Sequence, residues 1–213
     1  GLDLSRLHES GAALLHAVHG DPLPALIWPT NYAKMAAATM FTLFFGGNDF
    51  APATRVAGEP IQEYLQRHYI AAVCQVVERL KGFPHVVGYD TLNEPSAGYI
   101  GCPDLHGRLG PLSKSDAPTA WQGILLGSGF PQEVDRYTIG LTGMRAVGRR
   151  LVNAGGRRAW QEGRECLWRQ NGVWEVDGGG RPRLLRPAHF ARVGDRPADF
   201  AAGYLRPFAN RYA

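Results

Sequence analysis

An amide and a carboxylate stand side by side at Asn93-Glu94, and Pro95 follows them. The run ahead, Val86-Val87-Gly88-Tyr89-Asp90-Thr91-Leu92, is apolar enough for a short buried strand, with Val86, Val87 and Leu92 facing a core. Pro95 has no N–H to give to a ladder, so pairing stops there. Glu94 is therefore expected at a strand's carboxyl end, which in a parallel α/β barrel is the active-site face. The Asn93 amide can bond a substrate hydroxyl without a charge of its own to bury. The plainer reading is a strand closed by a polar turn, since Asn, Glu and Pro are all frequent in turns.

Other reactive residues are scattered. Cys74, Cys102 and Cys166 are too few and too far apart for a disulfide framework, and no pair has zinc-ligand spacing. Neither a metal nor a cofactor is expected. His68 falls in a helical stretch, and His85 and His106 have no partner at ligand spacing. Trp121, Trp160, Trp168 and Trp174 could stack on sugars, although tryptophans fill cores more often. The chain has 213 residues, 45% hydrophobic and 20% charged, with a formal charge of +4. That is ordinary for a globular chain with one sizeable core. The arginine pairs Arg149-Arg150 and Arg157-Arg158 lack the aromatic interleaving of a nucleic-acid surface and read as solvated. Gly1 stands where a methionine would, with no basic-then-apolar leader, so the true amino terminus is expected to lie outside this sequence. The compartment stays open, slightly weighted to the cytoplasm.

The elements that must hold Asn93 and Glu94 can be read around them. Leu4, Leu7, Ala12, Leu15 and Val18 suggest an amphipathic helix from Leu4 to His19, stopped by Gly20-Asp21-Pro22. Pro22, Pro24 and Pro29 keep the next stretch extended. Met35 to Phe45 is apolar throughout and is either a buried helix or the wall of a greasy site, with Gly46-Gly47-Asn48-Asp49 as a closing turn. Glu59 to Lys81 is the clearest helix, with Pro60 in its first turn and Ile61, Leu65, Tyr69, Val73, Val76 and Leu80 on one stripe. Helix, short turn and apolar strand make one unit of an α/β fold. Ser96 to Tyr137 is rich in Gly and Pro and reads as a long loop over Glu94, and Leu151 to Asp195 continues irregularly. Asp199 to Ala213 looks helical, with Phe200, Tyr204 and Phe208 on one face and a break near Pro207.

Taken together these pieces resemble a known family. Thr91-Leu92-Asn93-Glu94-Pro95 after a helix and an apolar strand resembles the fourth-strand motif of glycoside hydrolase family 5. Trp28-Pro29-Thr30-Asn31-Tyr32-Ala33-Lys34, running into Thr39-Met40-Phe41-Thr42-Leu43-Phe44-Phe45-Gly46-Gly47, is similar to one branch of it. So are Asn93 to Gly101, Gly172-Val173-Trp174 and Leu205-Arg206-Pro207-Phe208-Ala209-Asn210-Arg211. That branch contains endoglycoceramidase-related glucosylceramidases and steryl-glucosidases.

The resemblance implies an α/β chain, part of a (β/α)8 TIM barrel around its fourth strand. The single incomplete domain would comprise an apolar loop region (1–58), helix and strand (59–95), a long loop or insertion (96–198) and a helix (199–213). Three barrel strands would precede Gly1 and four would follow Ala213. Glu94 would be the general acid/base of a retaining β-glycosidase, and Asn93 would bond the sugar 2-hydroxyl. Tyr99 could orient Glu94 or line the site, and Phe41 and Phe44 would line the channel for a lipid aglycone. Expected partners are a glycoside or glycolipid and, in passing, a membrane surface, with no nucleic acid.

Retaining cleavage needs a second carboxyl group roughly 5 to 5.5 Å from the acid. A nearby carboxylate and partial burial keep the acid protonated until the nucleophile is consumed. The family's nucleophilic glutamate has no counterpart here, and its histidine and aspartate motif is also missing. Glu133, Asp135, Asp104 and Glu175 are the carboxylates left, none at the end of a recognisable strand. The 213-residue chain alone is expected to be inactive. Two other readings stand beside this one: a β-glucanase or cellulase with an open aromatic cleft, and a noncatalytic lipid- or sugar-binding module.

Overall fold

The computed structural model describes residues 1–14, 29–90, 92–110, 114–141 and 143–212. Two helices form its centre. Helix α1, Met35–Phe50, begins in Met-Ala-Ala-Ala, strong helix formers that need no side-chain cap to start. It buries Met35, Ala38, Leu43, Phe45 and Phe50. The expected turn at Gly46-Gly47-Asn48-Asp49 is not there, because the helix runs through it with one non-helical residue at Gly46. The glycines serve packing instead. A Cβ on Gly46 would lie 2.9 Å from the Phe50 ring, and one on Gly47 would lie 2.9 Å from Ile61.

Between the helices β1 (Arg55–Val56) and β2 (Glu59–Pro60) form a small hairpin. Helix α2, Ile61–Leu80, follows with Pro60 as its N-cap, two residues later than the sequence suggested. Its predicted stripe packs only at the start. Ile61 is buried and Leu65 and Tyr69 are half-buried, whereas Val76 is exposed. The hydrogen-bonded strand expected at 86–92 does not form among the described residues: 86–90 pair with no strand, and Val87 is fully exposed. A strand must fill its donors and acceptors on a neighbour, and all strand pairs here belong to other segments.

All those pairs are antiparallel, so the parallel sheet expected of a barrel segment is not present among the described residues. The region read as a long loop holds most of the β structure. Strands β3 (Ser115–Asp116), β4 (Gln132–Gly140) and β5 (Gly143–Val152) make one sheet, with a register shift at Arg136/Tyr137. Helix α3 (Ala120–Gly127) opens on a capping box in which Thr119 and Gln122 satisfy each other's backbone N–H. Helix α4 (Leu167–Gln170) precedes the hairpin of β6 (Trp174–Val176) and β7 (Pro182–Leu184), and β8 (Arg192–Val193) pairs with β9 (Arg196–Pro197). The carboxyl-terminal helix is as expected, one π-helical turn at Ala201–Leu205 leading into α5, Arg206–Tyr212. Near the amino terminus the expected long helix is only a 3-10 turn, Leu4–Arg6, followed by turns to residue 12; its second part, and most of the proline-rich stretch, lie outside the described residues.

The core is aromatic. Tyr99 stacks on Phe190 at 4.9 Å, and Trp168 meets the edge of both rings. Phe45 meets Phe200 and Phe208, which seats α5 against α1. Trp160, Trp168 and Trp174 are buried and Trp121 packs against Trp174, so these rings have core positions instead of exposed sugar platforms.

Candidate functional site

One side of α1 forms an open groove. Ala37, Met40, Phe41 and Phe44 come from α1, Tyr69 from α2, and Leu92 from the segment carrying Asn93 and Glu94; together they enclose about 350 Å³. Helical spacing puts residues 37, 40, 41 and 44 on one face. Phe41 and Phe44, predicted as an apolar wall, are brought together here. Phe44 is held by edge contacts with Phe45, Tyr69 and Phe208 at 4.9 to 5.5 Å. Beyond Met40 opens a larger cleft of about 590 Å³, with Arg55, Arg164 and Glu165 among its walls.

Asn93 and Glu94 follow Leu92 at the groove's edge, both exposed. Glu94 has φ +42, in the left-handed region that costs a non-glycine residue energy. Its carbonyl accepts a 3.0 Å hydrogen bond from the Tyr32 hydroxyl, and the Tyr32 ring meets Phe41 edge-on at 5.6 Å. One tyrosine thus ties the Glu94 backbone to the apolar wall. Sequence reasoning missed this link, although Tyr32 lies inside the motif already singled out.

The segment after Glu94 is strapped onto α1. Gly98 has φ +61, and a Cβ there would lie 2.4 Å from the Ala38 carbonyl oxygen. The next N–H, of Tyr99, donates to Thr42 Oγ1 at 2.8 Å, and Thr42 Oγ1 donates to the Ala38 carbonyl. Thr39 Oγ1 accepts from the Trp168 indole at 3.1 Å. The two buried threonines in an apolar helix are therefore docking points. The lone hydroxyls in the run were the signal that could have shown this. Tyr99 itself is enclosed in the core, and burial pushes its hydroxyl well above the ordinary phenol value. It offers no surface to a ligand, which corrects the expectation that it lines the site.

Among the described residues the four other candidate acids each have a partner elsewhere. Glu133 and Asp135 both pair with Arg149, Glu175 pairs with Arg183, and Asp104 pairs with His106. The backbone and ring N–H groups of His106 hold the Asp104 carboxyl below its usual range. Among the described residues no group of His, Cys, Asp or Glu could hold a metal ion.

At the start of α1 two charged residues, Lys34 and Asp116, are buried, with the exposed Arg150 and the half-buried Arg136 beside them. Lys34, the N-cap residue, donates to the Asp116 carbonyl, while the Asp116 carboxylate pairs with Arg150 and, at 3.2 Å, with Arg136. Burial lowers the Lys34 pKa to about 8 against the pull of Asp116. Asn31 bonds both the N–H and the carbonyl of Leu14, at 2.8 and 2.9 Å. The Asn31 to Lys34 motif thus anchors the helix whose far face lines the groove.

No family model matches the chain. It is similar over its whole length to a glucosylceramidase of Rhizopus delemar, 39% identical, covering 32% of that protein. Ninety per cent of it is 33% identical to an ergosteryl-β-glucosidase of Saccharomyces cerevisiae, covering 30% of that protein. The crystal structure of Cryptococcus neoformans sterylglucosidase 1 with Tris superposes on the entire chain with a TM-score of 0.87 and 30% identity, over 34% of its own length. The chain spans about a third of the length of the relatives it matches and has the mixed α and β fold of that third.

Proposed function

We propose that this chain is the acid/base-bearing part of a retaining β-glycosidase, of the family 5 barrel type, that removes a sugar from a lipid alcohol. The observation that carries this reading is the carbon-lined groove ending at Leu92, one residue before Asn93 and two before Glu94. A glycolipid asks for this arrangement, with apolar surface for the aglycone beside polar groups for the glycosidic oxygen. The names of the relatives, glucosylceramidase and ergosteryl-β-glucosidase, point to the same substrate class.

In this reading Glu94 protonates the leaving oxygen and later activates water, and Asn93 holds the 2-hydroxyl. The Phe41 and Phe44 rings take the aglycone. The attacking carboxylate is assigned to a segment outside these 213 residues, because the four other candidate acids are ion-paired within their own hairpin or turn. Residues 86–92 are assigned the place of a barrel strand, paired by flanking strands from the same outside segments. A polysaccharide reading is less well supported, since Tyr69 supplies the groove's one polar side chain.

The test uses the full-length protein encoded by the gene. It should release sugar from glucosylceramide or a steryl glucoside, and Glu94→Gln should lower the rate by at least about a hundredfold. Binding of the lipid glucoside without turnover would support the noncatalytic alternative.

A further inference from the structure

The β4–β5 hairpin has a distal half of unusual composition. Among the described residues strand β3 pairs only with Arg136 and Tyr137, so beyond Tyr137 β4 and β5 have no other described strand beside them. Acids stand only at its base, where Glu133 and Asp135 share Arg149. From Tyr137 to Gly148 there is no acidic residue. The register places Tyr137, Ile139, Met144 and Ala146 on one face, Thr138 and Arg145 on the other. Leu141 stands at the turn, 109% exposed, and Val147, the residue skipped by the register shift, is 48% exposed.

Positive charge stands below this apolar tip, near the level of Tyr137 and Thr138. Arg145 is exposed, and no carboxylate pairs with it among the described residues. Arg108 stands over the Tyr137 ring, 4.4 Å from its centre, and Lys114 immediately precedes β3. An apolar apex with cations a few residues behind it, and acids only at the far end, complements a bilayer with anionic headgroups. Acyl chains accept the leucine, and anionic headgroups face the guanidinium and ammonium groups.

We propose that the tip of the β4–β5 hairpin docks on a lipid bilayer with anionic headgroups, Leu141 entering the acyl boundary and Arg145, Arg108 and Lys114 meeting the headgroups. Docking is read without catalysis, so the outcome is independent of the glycosidase assignment.

The experiment is co-sedimentation of the full-length protein with vesicles of phosphatidylcholine, with and without phosphatidylserine. Tighter binding to the mixed vesicles is expected. Arg145→Ala should weaken that binding by about fivefold, the worth of one cation near an anionic surface, and leave the weak binding to neutral vesicles unchanged. Leu141→Asp should weaken both. Because Leu141 makes no buried contact, neither variant should change the melting temperature. A Leu141→Trp protein should show a blue-shifted emission with mixed vesicles. Unchanged sedimentation of Leu141→Asp, or emission from Leu141→Trp that ignores vesicles, overturns the proposal. So does a drop in melting temperature or a change of oligomeric state in Leu141→Asp, which would assign the tip to a protein contact.

Discussion

Tyr32, bonded to the Glu94 carbonyl, and Gly98, packed on α1, hold the segment that carries the proposed acid. Gly98 combines a left-handed backbone with an approach to α1 that leaves no room for a Cβ. Gly98→Ala should therefore cost about 2 kcal/mol or more, adding strain to a steric clash, and thermal unfolding of the two proteins measures it. Tyr32 acts through one hydroxyl on the Glu94 carbonyl. A single hydrogen bond of this kind is worth about 1 kcal/mol, so Tyr32→Phe should lower kcat about fivefold with little change in KM. An equal rise in KM would mean that Tyr32 holds the ligand and not the loop. Both lie inside motifs the sequence singles out, but neither motif shows this role. A glycine among many glycines carries no mark of its φ, and a tyrosine 62 residues before Glu94 gives no sign of bonding its backbone.

Helix α1 carries two functions on two faces. One is sealed by the aromatic core and the other is left open as the groove. Phe41→Ser should reduce turnover of a lipid glucoside while sparing a soluble aryl glucoside, since only the former needs the wall. Parallel assays on both substrates decide this, and equal loss on both contradicts it. Phe44→Ser should in addition lower stability by about 3 kcal/mol, because three aromatic rings lean on Phe44. Helices α1, α2 and α5 were legible from periodicity and composition, which are local properties, whereas α3 and α4 fall in stretches that read as loop and the helix expected from Leu4 is only a 3-10 turn over its described part. The antiparallel sheet was not legible. Tyr137, Thr138 and Ile139 have strand propensity, but the glycines at 140, 143 and 148 hid a hairpin by looking like loop. The apolar run 86–92 shows the opposite limit, since 86–90 find no strand partner among the described residues. Its pattern is strand-like, but a strand exists only with a partner, and partners are set by the whole molecule.

For the whole molecule the buried Lys34 links folding to pH. Its folded pKa of about 8 lies below the ordinary 10.5, so between these values the unfolded chain binds more protons than the folded one. Stability from this group should thus rise with pH from about 8 towards 10.5. From about pH 9 the Cys102 and Cys166 thiols, and from about pH 10 the Tyr99 and Tyr204 hydroxyls, act the other way, because burial raises all four and the folded state keeps protons the unfolded state gives up. Denaturant titrations of the parent protein and Lys34→Met isolate this group: between pH 8 and 10 the stability difference should shift in the parent's favour as pH rises. A slope unchanged by Lys34→Met would contradict the assignment. The central claim is also one about the whole molecule: Glu94 is half of a carboxylate pair that these 213 residues do not complete. The most direct measurement is hydrolysis of a lipid-linked glucoside by three proteins: the full-length protein, its Glu94→Gln variant and the 213-residue chain. The account predicts turnover by the first alone. Undiminished turnover by the Glu94→Gln protein would contradict it.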